Sequence, residues 1–568
     1  MIAARKSLSM ALVTVFSLVT ILAGCSSDKG NNENAASPSP TTTPAATEGG
    51  DKTDPPANEP LTFSFYVNYD WYSPKGLESD AKPLNTWLRN EKKVTIKEIS
   101  ANGNAAQKLG TMIASGELPD VIQMDRDTNF DKLVAEGKIV AIDEYLNNPK
   151  YPNLKKLASE KTLNLLRAKD GKLYGIPNWF GRAEDPKTSN AGWVVNKKIY
   201  KELGSPKLDT FDDMYNYLVQ VKQKYPDIVP LDTANTDEGT IQVHNFIYAG
   251  MGEMRTVDMG KSAGMFALAN FDKTEFTSIF QDPAYLESYQ FTSKLFREKL
   301  LSQDTFSQKR EQFQEKLNNG KIAVAATYDI TGGADVANQK LQAADPDAGY
   351  TFIPYPVKSG VDVNKISPTA SGSMGWNFNS ITTSAKNPEQ IFAFFDWLLS
   401  PEGTTAAQFG PPGLYWTPDD KGFPIFNDKY KNATKEQKDN DGIGSFYFNL
   451  QGSPVWGDLD KDVMAKEGTP KTWNTEANEF YGKYVKIDGD QFNQVKNFPK
   501  SSPEDMANQQ IKLIMEKAAA KMVFAKNDAE VEKAMKDAEK QVSAAGYDKL
   551  LAYMNKVWQA NVAQMNSK

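Results

Sequence analysis

Across its 568 residues the chain has one cysteine, Cys25, and one histidine, His244. A single cysteine excludes intramolecular disulfides. Stability must therefore come from burial, and about 500 ordered residues supply a core large enough to divide into two domains. Zinc hydrolases and the Ser-His-acid and Cys-His nucleophilic sites draw on histidine as ligand or base, and one lone histidine could serve at most one such role. His244 sits in the apolar string IQVHNFIYAG and reads as a satisfied core group. No GxSxG, HExxH or P-loop pattern occurs, and Gly372-Ser373-Met374-Gly375 has the wrong spacing for a nucleophile elbow. Positive charge is also scarce: 65 Lys and Arg stand against 72 Asp and Glu, a net charge of −7. That balance disfavours nucleic acid and anionic lipid as partners.

The acids themselves suggest little metal chemistry. Asp458, Asp460 and Asp462 alternate as in a calcium loop, but Val463 stands where the turn needs glycine and Thr469 where a bidentate glutamate belongs. A solvated acidic loop is the expectation, with no metal and no cofactor. Two acids suffice for a glycoside hydrolase, so a carbohydrate-active enzyme stays open on composition.

The apolar stretch nearest the N-terminus, Met10 to Leu22, is shorter than the ~20 residues of a spanning helix. Arg5 and Lys6 precede it, so residues 1–24 read as a signal peptide. Leu22-Ala23-Gly24-Cys25 resembles the bacterial lipobox, in which the cysteine becomes a lipidated N-terminus; the plainer alternative is an ordinary secretory signal. Cleavage there leaves 544 residues with a net charge of −9, since Arg5 and Lys6 are lost. Ser26 to Pro60 contains no Leu, Ile, Val, Met or aromatic residue and cannot order itself by burial. Residues 25–60 are then a tether, with a reach of roughly 30 Å.

From Leu61 onward the pattern is α/β. Leu61, Phe63, Phe65 and Val67 alternate along a strand, a helix follows near Leu84–Glu91, a second strand covers Val94–Ile99, a helix Ala105–Ser115, and a third strand Asp120–Met124. This order predicts parallel pairing with right-handed crossovers. Strands are also predicted at Ala191–Val195, Ile322–Thr327 and Tyr350–Tyr355, and a helix capped by Thr210 over Phe211–Lys224. Tyr547, Leu550, Leu551, Met554, Val557 and Trp558 recur at helical spacing near the end.

Five strings, taken in order, identify a family. They are MIASGELPDV from Met112, GKLYGIP from Gly171, WVVNK from Trp193, GKIAV from Gly320, and NPEQ from Asn387 with the helix closing in DWLLSPEG at Asp396–Gly403. Together they resemble the family 1 extracellular solute-binding proteins of sugar ABC importers, especially the long lipoproteins of Paenibacillus and Bacillus relatives. The match covers roughly residues 61–415. The resemblance implies a two-lobed, periplasmic-binding-protein-like α/β fold (type II-like), with a hinge and a ligand cleft between lobes. It implies one lobe at 61–185 plus 352–382 and the other at 186–351 plus 383–568, with 416–568 a helical extension of unassigned lobe.

Sugars present apolar faces and a rim of hydroxyls, so their sites combine aromatic platforms with paired polar groups. Both kinds of side chain stand at strand ends or connections here. The candidate ligand contacts are Asp70, Trp71 and Tyr72 after the first strand, then Asp125 and Arg126 after the third, then Trp179 and Arg182 in a crossing. Tyr328 and Asp329, Trp376 and Asn377, and Trp416 complete the set. No catalytic residue is assigned. The first function expected is a non-enzymatic lipoprotein anchored through Cys25 on the outer face of the membrane, a monomer delivering an oligosaccharide to ABC permease subunits. A surface glycoside hydrolase or polysaccharide lyase, and a glycan-sensing lipoprotein, are the alternatives.

Overall fold

Strand β1, Leu61–Val67, buries Leu61, Phe63 and Phe65 on one face and, from Tyr66, buries its other face too. Burial on both faces is what a central parallel strand requires. β2 (Val94–Ile99) and β3 (Val121–Asp125) flank β1, both parallel to it, with Leu61 opposite Val94 and Phe65 opposite Val121. The helix Ala105–Ser115 crosses between β2 and β3 and ends at Gly116, whose φ of 75° suits glycine. β12 (Asn377–Ile381) joins antiparallel to β3, and β4 (Ile176–Pro177) closes a sheet of order β2-β1-β3-β12-β4. The structure, a computed structural model, describes residues 59–181, 187–233, 242–255, 267–420, 424–444 and 472–566.

A second sheet of order β10-β5-β9-β6 is built from β5 (Gly192–Asn196), β6 (Val229–Thr233), β9 (Ile322–Thr327) and β10 (Tyr350–Ile353). Three short pairs complete the strands: β7 (Ala267–Asn270) with β8 (Glu275–Ser278), β11 (Ala370–Ser371) with β15 (Ile487–Asp488), and β13 (Trp416–Pro418) with β14 (Pro424–Phe426). Each large sheet has its own hydrophobic core. The chain passes from one to the other between Pro177 and Gly192 and returns between Ile353 and Asn377. The two passages are hydrogen-bonded to each other, with Gly181 N donating to Ser373 O at 3.0 Å and Phe180 bridging to Met374. Gly375 allows this approach, since a Cβ there would lie 2.4 Å from Trp179 O.

Two assignments differ from the sequence reading. Residues from 383 were expected in the second lobe, but the helix Pro388–Leu398 belongs to the first core, with Phe394 and Phe395 at 6.0 and 6.2 Å from Phe63. Buried Asp396 on that helix accepts the amides of Asn153 and Leu154 at 3.2 and 2.7 Å. The cause is topological, because β12 runs back along β3 and delivers the chain beneath the same sheet. The C-terminal region, which had no lobe, divides. Phe409, Tyr415, Trp416 and Phe426 form a small core of their own, whereas the helices Trp473–Gly482, Pro503–Val523, Asp528–Ala544 and Tyr547–Asn566 contribute to the second core. Tyr481 is buried at β5, its hydroxyl donating to Ile353 O at 3.1 Å, and only glycine fits at 192 because a Cβ would lie 2.3 Å from its ring.

His244 is the core group its context predicted. Its ring stacks on Tyr289 at 3.6 Å and its Nε2 lies 2.9 Å from Ser288 Oγ. Burial pushes its pKa down to about 3, against about 6.5 in the unfolded chain. The unfolded state therefore binds the extra proton between these values, and stability is complete above pH 6.5 and lost as pH falls toward 3. The group contributes about 1.4 kcal/mol per pH unit across that window. Melting temperatures of the native protein and His244→Gln between pH 7 and 4 check this: the native curve is expected to fall more steeply, and parallel curves would contradict it.

Candidate functional site

The two passages define which sheet edges face each other. They leave the first sheet at Pro177 and Asn377, beside the carboxyl end of β3, and meet the second at Gly192 and Ile353, beside the carboxyl end of β9 at Thr327. Carboxyl ends of strands in open α/β sheets are where ligands gather.

At the first of these edges three aromatic rings meet. Tyr69 and Trp71 follow β1 and Trp376 precedes β12. Tyr69 stacks on Trp71 at 5.2 Å, Trp376 lies 5.0 Å from Tyr69, and the two indoles are 6.3 Å apart. Trp71 is 59% exposed, the largest exposure among the large hydrophobic side chains of the described residues. Tyr69 is fixed from below, because its hydroxyl donates to Asp125 Oδ1 at 2.6 Å and Asn377 faces the same hydroxyl. Burial, then the charge of Asp125, raises the Tyr69 pKa far above the ordinary phenol range, so the ring stays neutral. Asn377 also accepts from Gln123 Nε2 at 3.3 Å, which ties β12 to β3 under the rings.

Arg126 lies beside this cluster. Its Nη2 donates to Gly375 O at 3.3 Å and its guanidinium carbon is 5.4 Å from the Phe378 ring centre. Its Nε is enclosed and has no hydrogen-bond partner in the protein. Burial lowers its pKa to about 10, with Asp490 and Asp125 opposing the fall, so it remains a cation at neutral pH. Trp179 is half-buried in the first passage, against Gly375.

Several sequence candidates have other employment. Asp70 Oδ1 accepts from Ala105 N at 2.6 Å, satisfying the first turn of the helix Ala105–Ser115, whose own Asn104 makes no side-chain cap. Tyr72 is buried and donates to Glu98 Oε1 at 2.8 Å, and Glu98 in turn holds the amides of Lys75 and Gly76. Trp416 is 3% exposed inside the small third core, with Nε1 on Gly410 O at 2.8 Å, and is no cleft residue. On the second lobe Tyr328 lies half-buried 4.7 Å from Phe246. Asp329 pairs with Arg310 at 2.8 Å and lines a cavity of about 350 Å³ with Gln314 and Lys340. Arg182, Cys25 and Asp458, Asp460 and Asp462 lie outside the described residues. Among the described residues no group of three or more His, Cys, Asp and Glu is placed to hold a metal ion.

The arrangement is a cluster of stacked and tilted aromatic rings beside a buried guanidinium that keeps its charge. The sequence profile described as "Bacterial extracellular solute-binding protein" matches residues 75–405, more than half of the chain. The chain belongs to that family. Its members are binding proteins rather than enzymes. This solute-binding protein is 26% identical over 451 residues to the fructooligosaccharide ABC transporter substrate-binding protein FusA of Streptococcus pneumoniae, covering 76% of this chain and 75% of that one. It shares its fold with an extracellular solute-binding protein of Bifidobacterium longum subsp. infantis, at a TM-score of 0.68 and 16% identity over 88% of this chain and 98% of the other. An HMO-binding, ABC-transporter-associated solute-binding protein of Bifidobacterium longum infantis gives 0.65 at 18% identity, covering 88% and 99%.

Sequence reasoning missed three residues that the structure of this solute-binding protein places in this region. Tyr69 stood in the same strand-end string as Trp71 and carried the signal that selected its neighbour. Asn178 follows the GKLYGIP string directly but has no distinguishing pattern. Asp490, far along the chain, accepts from Ser373 N at 2.8 Å and Ser373 Oγ at 2.6 Å in the second passage, a long-range contact that no local pattern announces.

Proposed function

We propose that this protein is the extracellular, membrane-anchored monomer that captures an oligosaccharide between its lobes and hands it to the permease of an ABC importer, held in place by lipid on Cys25. The observation that carries the ligand class is the platform of Tyr69, Trp71 and Trp376, with Trp71 open to solvent at a sheet edge. Apolar sugar faces match such rings, whereas amino acid or metal ligands require charge pairs or ligating clusters. The likeness to the fructooligosaccharide-binding relative supports the same class. Trp71, Trp376, Arg126, Asn377 and Trp179 serve as contacts on the first lobe, and Tyr328 as one on the second.

Thermal-shift measurements against neutral and acidic oligosaccharides of two to six units test the reading. At least one is expected to raise the melting temperature. A peptide that does so while every sugar fails would overturn it. Cys25→Ser is expected to release the protein into the medium with unchanged affinity, and retention at the membrane would refute the anchor.

A further inference from the structure

Asn178 is 1% exposed, and neither its Nδ2 nor its Oδ1 has a hydrogen-bond partner in the protein. A buried carboxamide with its donors and acceptor unused is costly, and native structures rarely retain one without a reason. Its position supplies the reason. Asn178 N donates to Asn377 O at 3.2 Å, so the residue sits in the row of strand ends beneath the rings. Its Oδ1 packs on Gly375, where a Cβ would approach it to 2.5 Å. The carbonyl of the same Gly375 accepts from Arg126 Nη2, and Arg126 Nε is another enclosed donor without a partner. The residue after Gly375 is Trp376 of the platform. Asn178 and Arg126, each with a polar group left unused, therefore both touch one residue adjoining the aromatic surface.

We infer that Asn178 and Arg126 form a polar subsite for the hydroxyls of an uncharged glycan unit stacked on Trp376. The inference rests on the proposed oligosaccharide function and narrows its substrate class. A carboxamide offers a donor and an acceptor side by side, as a vicinal diol does, and the Arg126 Nε–H adds a second donor. Asp490 and Asp125 both act on the charge of Arg126. Asp70 and Asp127 add negative charge on the same edge. A uronate would meet the carboxylates of Asp70 and Asp125 at this edge, whereas a neutral hydroxyl meets groups that gain a partner.

Titration calorimetry on the full protein, Asn178→Leu and Asn178→Ala, with kestose, maltotriose, xylotriose, cellotriose and trigalacturonic acid, tests the subsite. The native protein is expected to bind one neutral trisaccharide at least a hundredfold more tightly than trigalacturonic acid. Asn178→Leu is expected to weaken that binding at least thirtyfold while leaving the melting temperature of the free protein unchanged or higher, because it removes a buried group that lacks a partner. Should leucine unfold the protein, Asn178→Ala, which only deletes atoms, carries the same thirtyfold expectation. Native-like affinity in a folded Asn178 variant refutes the subsite while the oligosaccharide function stands. Tighter binding of trigalacturonic acid than of every neutral sugar refutes the substrate class. If none of the five sugars binds and no longer oligosaccharide shifts the melting temperature, the oligosaccharide function falls, and the subsite with it.

Discussion

Replacing Trp71 and Trp376 together by alanine is expected to weaken binding of the best oligosaccharide by two to three orders of magnitude. Aromatic anchors at the centre of a recognition surface are each worth about 2 kcal/mol or more on truncation. Two such losses approach 4 kcal/mol, and every ~1.4 kcal/mol is tenfold in affinity. Because the indoles lie 6.3 Å apart in one cluster, their effects will not add fully, which sets the lower figure. Trp71→Ala alone separates recognition from folding, since a ring already 59% exposed contributes little to the free protein. Its melting temperature should stay near that of the native protein while affinity falls. Affinity within tenfold of native in the double variant would show that the platform does not carry the ligand.

The second large effect is expected from Asp490→Ala. Asp490 is 3% exposed, yet its carboxylate accepts from Ser373 N and Ser373 Oγ, and Lys161 Nζ stands 3.9 Å away. Hydrogen bonds to charged groups are worth about 1.5–3 kcal/mol, and the truncation leaves both Ser373 donors without their acceptor. A loss of about 3 kcal/mol is expected, read as a lower denaturant midpoint at unchanged slope. Asp490→Asn keeps the shape and one acceptor oxygen and should recover part of the loss. A midpoint unchanged in Asp490→Ala would mean that the β11–β15 pairing beside it, Ala370 with Ile487 and Ser371 with Asp488, holds this passage unaided.

The local elements were largely legible. Strand β1 spans Leu61–Val67, the stretch where apolar residues alternate, and Thr210 caps the helix Phe211–Lys224 with Asp213 returning the bond, as its spacing implies. Period and capping chemistry act within a few residues, so they survive without knowledge of the fold. The site was legible only in part. Trp71 and Trp416 are the same residue type in similar loop contexts, but one is 59% exposed and the other 3%. Asp70 follows β1 and Asp125 ends β3, yet one satisfies a helix terminus and the other holds Tyr69. What separates the members of each pair is the partner brought from elsewhere in the chain.

By itself, the sequence determined the α/β order of elements, the parallel pairing at the start, the buried histidine, the exclusion of intramolecular disulfides and the limit of one histidine-dependent site. These follow from residue type and short-range periodicity. The tertiary structure decided that the helix Pro388–Leu398 covers the first sheet, that the C-terminal helices complete the second core, and that Tyr69, Asn178, Arg126 and Trp376 meet at one edge. Burial and hydrogen-bond partners at that edge are set by chain segments separated by up to about 300 residues in sequence, as Asn178, Asn377 and Asp490 show. Only the closure of both passages brings them within reach of one another.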